Sequence, residues 1–95
     1  MSFDPDRHKR EERAGYNLIA ERYAESAALR AGLNTALIDA ADLKPGHCVL
    51  DLASGPGVLA HEAVQKATGG LVVASDIAEQ ALAEARRRAS EDNLL

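Results

Sequence analysis

Two short apolar runs constrain this chain more than any other feature. They are Cys48-Val49-Leu50-Asp51-Leu52 and Leu71-Val72-Val73-Ala74. Between them lie a glycine break, Gly55-Pro56-Gly57, and a helical pattern with Ala60, Ala63, Val64 and Ala67 on one face. Short runs without clean alternation fit strands of a parallel sheet, buried on both faces. Parallel neighbours need a crossover, which a helix supplies, and such units are right-handed in nearly all cases. The sequence therefore predicts a β-α-β unit in an α/β fold. A further helix follows, with Ala78, Ala81, Leu82, Ala85 and Ala89 on one face. Lys44-Pro45-Gly46 turns the chain into the first strand, and Gly69-Gly70 ends the crossover helix.

Upstream, Tyr16, Ile19, Ala20, Tyr23 and Ala27 form one amphipathic stripe, and Leu29, Leu33, Ala36, Leu37 and Ala40 form another. Gly32 lies within the second stretch, so one bent helix and two helices both fit. Residues 1–13 read as a charged, solvated and mobile arm. Residues 14–43 read as a helical segment, and residues 44–95 as the strand-bearing part.

The core these elements can build is thin. Nineteen of the 95 residues are alanine, which favours helix but buries little area, and aromatic residues make up 3%. The net charge of −4 lacks the basic footprint of a nucleic-acid binder. No run approaches the ~20 apolar residues of a membrane span, and residues 1–13 lack the apolar stretch of a secretory signal. The lone Cys48 excludes an internal disulfide. A cytoplasmic setting is expected, with neither nucleic-acid binding nor membrane insertion. His47 and Cys48 are adjacent in a strand and point to opposite faces, so they cannot chelate one metal. Arg86, Arg87 and Arg88 complement the C-terminal end of their helix.

The chemistry concentrates between Val49 and Val58, which read VLDLASGPGV. Gly55 and Gly57 follow a strand and precede a helix. They place bare backbone amides at a helix N-terminus, where a ligand can approach closely. The bland alternative is a tight turn with no ligand. Asp76 ends the second strand about twenty residues on, where a carboxylate meets ribose hydroxyls in nucleotide-binding α/β folds. It could also cap the next helix, with Glu79 completing a capping box. Gly55-x-Gly57-x-x-Ala60 loosely fits a dinucleotide fingerprint. Asp51 argues against it, because an anion beside the loop suits an ammonium or sulfonium better than a pyrophosphate.

VLDLASGPG resembles motif I of the class I S-adenosylmethionine-dependent methyltransferases, and Leu71 to Ile77 (LVVASDI) resembles their second motif. Tyr16 to Tyr23 (YNLIAERY) is similar to the N-terminal helix of the branch containing the ubiquinone and menaquinone C-methyltransferases. The resemblance spans roughly residues 14–95 and implies a Rossmann-like fold with S-adenosylmethionine as cofactor. By position, it implies that Ala53, Gly55 and Gly57 pass backbone close to the methionine moiety. Asp51 would assist the amino group, Asp76 would take the ribose hydroxyls, and Ile77 would lie against adenine. Tyr16 and Tyr23 would border the donor or acceptor pocket, although core packing is the commoner role for such a stripe. Three positions depart from the pattern. Ala53 replaces a glycine, an exchange that requires a negative φ; Ala24 stands where Asp is frequent; Ala78-Glu79 replaces Ser-Pro, so the helix cap must come from elsewhere.

The family's sheet has seven strands, of which two are encoded here. A third is expected just beyond Leu95, together with the acceptor-binding segments. The chain reads as the donor-binding portion of an enzyme that moves a methyl group to carbon, oxygen or nitrogen of a small molecule. No catalytic residue is assignable. One alternative is an inactive remnant or interaction module; a weaker one is an NAD-type half-domain. Two strands also leave unpaired edges, so self-association through strand edges or helix faces is expected.

Overall fold

A computed structural model describes residues 2–94, with only the backbone of Ala27. The chain is mixed α/β, with four α-helices and a two-stranded parallel sheet among the described residues. The order is α1 (Pro5–Glu25), a 3₁₀ segment (Ser26–Arg30), α2 (Ala31–Ala41), β1 (Cys48–Leu52), α3 (Val58–Lys66), β2 (Leu71–Ser75) and α4 (Glu79–Glu91).

α1 begins well inside the segment that reads as a mobile arm. Asp4 Oδ1 accepts from the amides of Asp6 and Arg7, both at 3.0 Å, and Pro5 pre-sets the first helical turn. Arg7 pairs with Glu11 one turn on, at 2.7 Å. All residues from Ser2 to Tyr16 are exposed, so the segment is solvated, but it is helical from Pro5. The two upstream stripes form two helices, separated by the 3₁₀ segment rather than broken at Gly32. The Ala27 side chain lies outside the described residues. α2 ends at Asp42, whose φ of 49° is left-handed.

β1 and β2 pair in parallel from Cys48↔Leu71 to Leu52↔Ser75. α3 packs against both strands, half-covering Val49, Asp51, Val72 and Ala74. The expectation of two buried faces is overturned. On the other face Leu50 is 61% exposed and Leu52 72%, and no described element covers them. Leu71 and Val73 continue the open face. The cause is topological, since the crossover helix α3 packs on one side of the sheet and no described helix packs on the other.

The buried apolar residues are alanines of α1, α3 and α4, the loop alanines Ala67 and Ala78, and Ile38 of α2. Small side chains let helices approach closely, and each contributes little apolar area. α1 lies along α4, and polar bonds fix its register. Arg13 Nε donates to the Ile77 carbonyl at 3.0 Å, and Asn17 Oδ1 accepts from the Gln80 amide at 3.0 Å. Asn17 thereby satisfies one of the amides orphaned at the start of α4. The cap missing from Ala78-Glu79 comes from another helix. At the other end of α4, Arg87 and Arg88 converge on Glu84, at 2.7 and 2.8 Å, and hold its carboxyl down at about 2.

The approach to β2 is equally tight. The Leu71 amide donates to the His47 carbonyl at 3.2 Å, and the Gly46 amide to the Thr68 carbonyl at 2.9 Å. A Cβ on Gly70 would lie 2.0 Å from the His47 oxygen. The clash is with backbone, which cannot swing away. Gly70→Ala should therefore destabilise the chain by about 1–3 kcal/mol. Gly15→Ala, in open space on helical α1, should stabilise it by about 0.4–1 kcal/mol. Urea titration of both variants checks the pair of signs.

Candidate functional site

A cavity of about 550 Å³ opens beside the end of the sheet, within the range of small-molecule sites. Helix α1 contributes Tyr16, Ala20 and Tyr23. The β1–α3 connection contributes Ala53, Ser54, Gly55 and Pro56, and the end of β2 contributes Ser75, Asp76 and Ile77. Arg30 and Asn34 complete the polar wall. Six of the eight residues singled out from the sequence thus share one cavity.

Asp76 organises this wall. Its Oδ2 accepts from the Gly55 amide at 2.8 Å, and its Oδ1 from the Ala78 amide at 2.8 Å. One carboxylate ties the glycine connection to the end of β2 and to the approach of α4. The capping-box alternative takes a different form: Asp76 binds two residues ahead, before the helix begins at Glu79. Each oxygen retains acceptor capacity beyond these bonds. Ile77 is 40% exposed.

Two expected site residues lie elsewhere. Gly57 does not line this cavity. A Cβ there would meet the Ala85 Cβ at 2.8 Å, and its φ is +84°. Its bare backbone seats the start of α3 against α4. Gly55 does face the cavity, with φ +56°, and a Cβ there would lie 3.6 Å from Tyr23 Cε1. Ala53 has φ +55°, which overturns the negative φ its substitution for glycine requires. A left-handed alanine carries a strain of roughly 1–2 kcal/mol. The neighbouring bonds hold it there: the Ser54 amide donates to the Ser75 carbonyl at 2.9 Å, and Gly55 is held by Asp76.

Asp51 also lies off the cavity wall, half-buried on the α3 side of β1. Its Oδ2 is enclosed and has no hydrogen-bond partner, and the same holds for Ser54 Oγ. Burial pushes the Asp51 carboxyl above its ordinary value; the Ala60 backbone amide opposes this, and the Asp76 charge adds to it. The carboxylate therefore stands near the first turn of α3, where orphan amides favour an anion.

Sequence reading missed Arg30 and Asn34. Arg30 stacks over the Tyr23 ring, 4.2 Å from its centroid, and donates to the Tyr23 hydroxyl. Tyr16 and Tyr23 meet edge to face at 6.0 Å between centroids. The heptad spacing of the tyrosines carried that contact, whereas Arg30 reaches them only through the 3₁₀ turn. Among the described residues no cluster suits a metal ion, and no helix is long and apolar enough to cross a membrane.

The orphaned oxygen makes Asp51 a stability liability at neutral pH. Its folded pKa is raised, so the folded state holds the proton more firmly, and stability falls as pH rises through that window. Asp51→Asn should raise the melting temperature at pH 7. The advantage should shrink as pH falls through the raised pKa and vanish below 3.8, the ordinary aspartate value. Thermal melts from pH 3 to 7, at ~1-unit steps, read both arms; an unchanged melting temperature at pH 7 would show that the carboxylate is compensated.

No protein-family model matches the chain, and no curated protein matches it.

Proposed function

We propose that the cavity binds the nucleoside end of S-adenosylmethionine, and that the chain is the donor-binding part of a Rossmann-like, class I small-molecule methyltransferase. The observation that carries this reading is the Asp76 carboxylate. It stands on the cavity wall at the end of β2, fixed by the Gly55 and Ala78 amides, with Ile77 beside it. A fixed carboxylate is a suitable acceptor for vicinal ribose hydroxyls, and an apolar neighbour suits a purine face. Gly55 and Ala53 would bring backbone to the ligand, with Tyr16 and Tyr23 closing the α1 side.

Asp51 favours this ligand over a dinucleotide. Its half-buried carboxylate already stands by the Ala60 amide at the start of α3, where a pyrophosphate would have to bind. Like charges repel there, whereas an ammonium or sulfonium gains from the same field. When bound, the sulfonium supplies an electrophilic methyl group. The chain's own residues would bind and orient it, and positioning of that kind is a large part of catalysis in group transfer.

Calorimetry with S-adenosylhomocysteine on the full chain tests the reading. Binding is expected, and Asp76→Asn should weaken it about 10-fold or more, because a hydrogen bond to a charged acceptor is worth ~1.5–3 kcal/mol. Binding of NAD in preference to S-adenosylhomocysteine would overturn it.

The open sheet face supports a second property, association with another copy of the chain. Cys48, Leu50, Leu52, Leu71 and Val73 share that face, and none is charged, so the net −4 of each copy is carried elsewhere. A two-fold pairing would cover both copies' leucines at once. Sedimentation velocity across a dilution series should show mass rising with concentration, and Leu50→Lys should abolish the rise. A concentration-independent monomer would refute association.

A further inference from the structure

Among the described residues two charged side chains line the cavity, Asp76 and Arg30. Asp76 is hydrogen-bonded to backbone, whereas Arg30 has no counter-ion among the described residues. Arg7, Arg87 and Arg88 each meet a glutamate at 2.6–2.8 Å, but no described carboxylate lies within ion-pair distance of Arg30. Yet Arg30 is half-buried, at the end of the 3₁₀ segment. It is held by neutral partners: the Tyr23 ring and hydroxyl, the Tyr23 carbonyl at 3.4 Å and Ser26 Oγ at 3.4 Å. Ser26 Oγ itself donates to the Tyr23 carbonyl at 2.8 Å, which fixes the platform.

These contacts orient the guanidinium without neutralising it. A guanidinium has five N–H donors in a planar fork suited to carboxylates, and stacking on a ring reduces its freedom before any ligand arrives. A half-buried cation on a cavity wall gains most from an anion delivered by the ligand. We propose that Arg30, positioned by Tyr23 and Ser26, is a carboxylate subsite of this cavity. The ligand class is then narrower than a nucleoside: it carries hydroxyls for Asp76 and a carboxylate for Arg30. The inference rests on the nucleoside reading above. The carboxylate comes from the amino-acid end of the donor or from an anionic methyl acceptor beside it.

Three titrations of the full chain test this, each with the native sequence and with Arg30→Gln. The first uses S-adenosylhomocysteine. The second uses the same thioether with a 3-aminopropyl chain, which lacks only the carboxylate. The third adds benzoate to chain saturated with S-adenosylhomocysteine. Arg30→Gln is expected to weaken S-adenosylhomocysteine about 10-fold or more, while leaving the decarboxylated ligand within about 2-fold. That pattern assigns the donor's carboxylate. Loss of benzoate binding alone assigns the acceptor's carboxylate and equally supports the subsite. Equal losses for both thioethers, or no change in any titration, would overturn the Arg30 proposal and leave the nucleoside reading standing. Failure of the native chain to bind either thioether would overturn the nucleoside reading, and the proposal with it.

Discussion

The two hydrogen bonds accepted by Asp76 hold the cavity end of the molecule together. Through Gly55 they fix the connection leaving β1, and through Ala78 they fix the approach to α4. α4 then receives α1 through Asn17 and Arg13. The tyrosines and Arg30 reach the cavity because α1 is docked there. A single carboxylate thus links, in sequence order, the helical segment, the first strand and the second strand. Such a bond does more here than in a protein with a deep core, because alanine-lined contacts contribute little area to hold the same elements.

Close approach replaces bulk in this fold. α3 meets α4 where Gly57 faces Ala85, and the turn before β2 meets the turn before β1 where Gly70 faces the His47 carbonyl. Neither point tolerates a methyl group. Packing of this kind specifies geometry sharply while yielding modest stabilisation, which suits a chain whose sheet keeps one bare face.

Much of the local architecture is legible in the sequence. The two strands, the glycine break, the crossover helix and the pairing of Tyr16 with Tyr23 all follow from spacing and residue type. The expectations that fail share a cause: each depends on what lies across from a residue. Apolar runs without alternation suggest strand burial, but cover comes from neighbouring elements, and among the described residues one face has them. The close packing of Gly57 on Ala85, 28 positions on, likewise cannot be seen from the loop. Ala53 gives no sign of its left-handed φ, which its neighbours' hydrogen bonds impose. The helix over residues 5–13 is the exception, since Asp4-Pro5 is a local start signal that the surrounding charge density masks.

The left-handed Ala53 has a consequence for how the cavity responds to its surroundings. An alanine in that conformation would relax toward negative φ if free. It is restrained through the next two amides, one bound to the Ser75 carbonyl and one to Asp76. The connection is therefore a strained backbone fastened by two bolts, the Ser75 carbonyl and the Asp76 carboxylate. Loss of the Asp76 bond alone would leave the nearer bond, from the Ser54 amide to the Ser75 carbonyl, to hold Ala53.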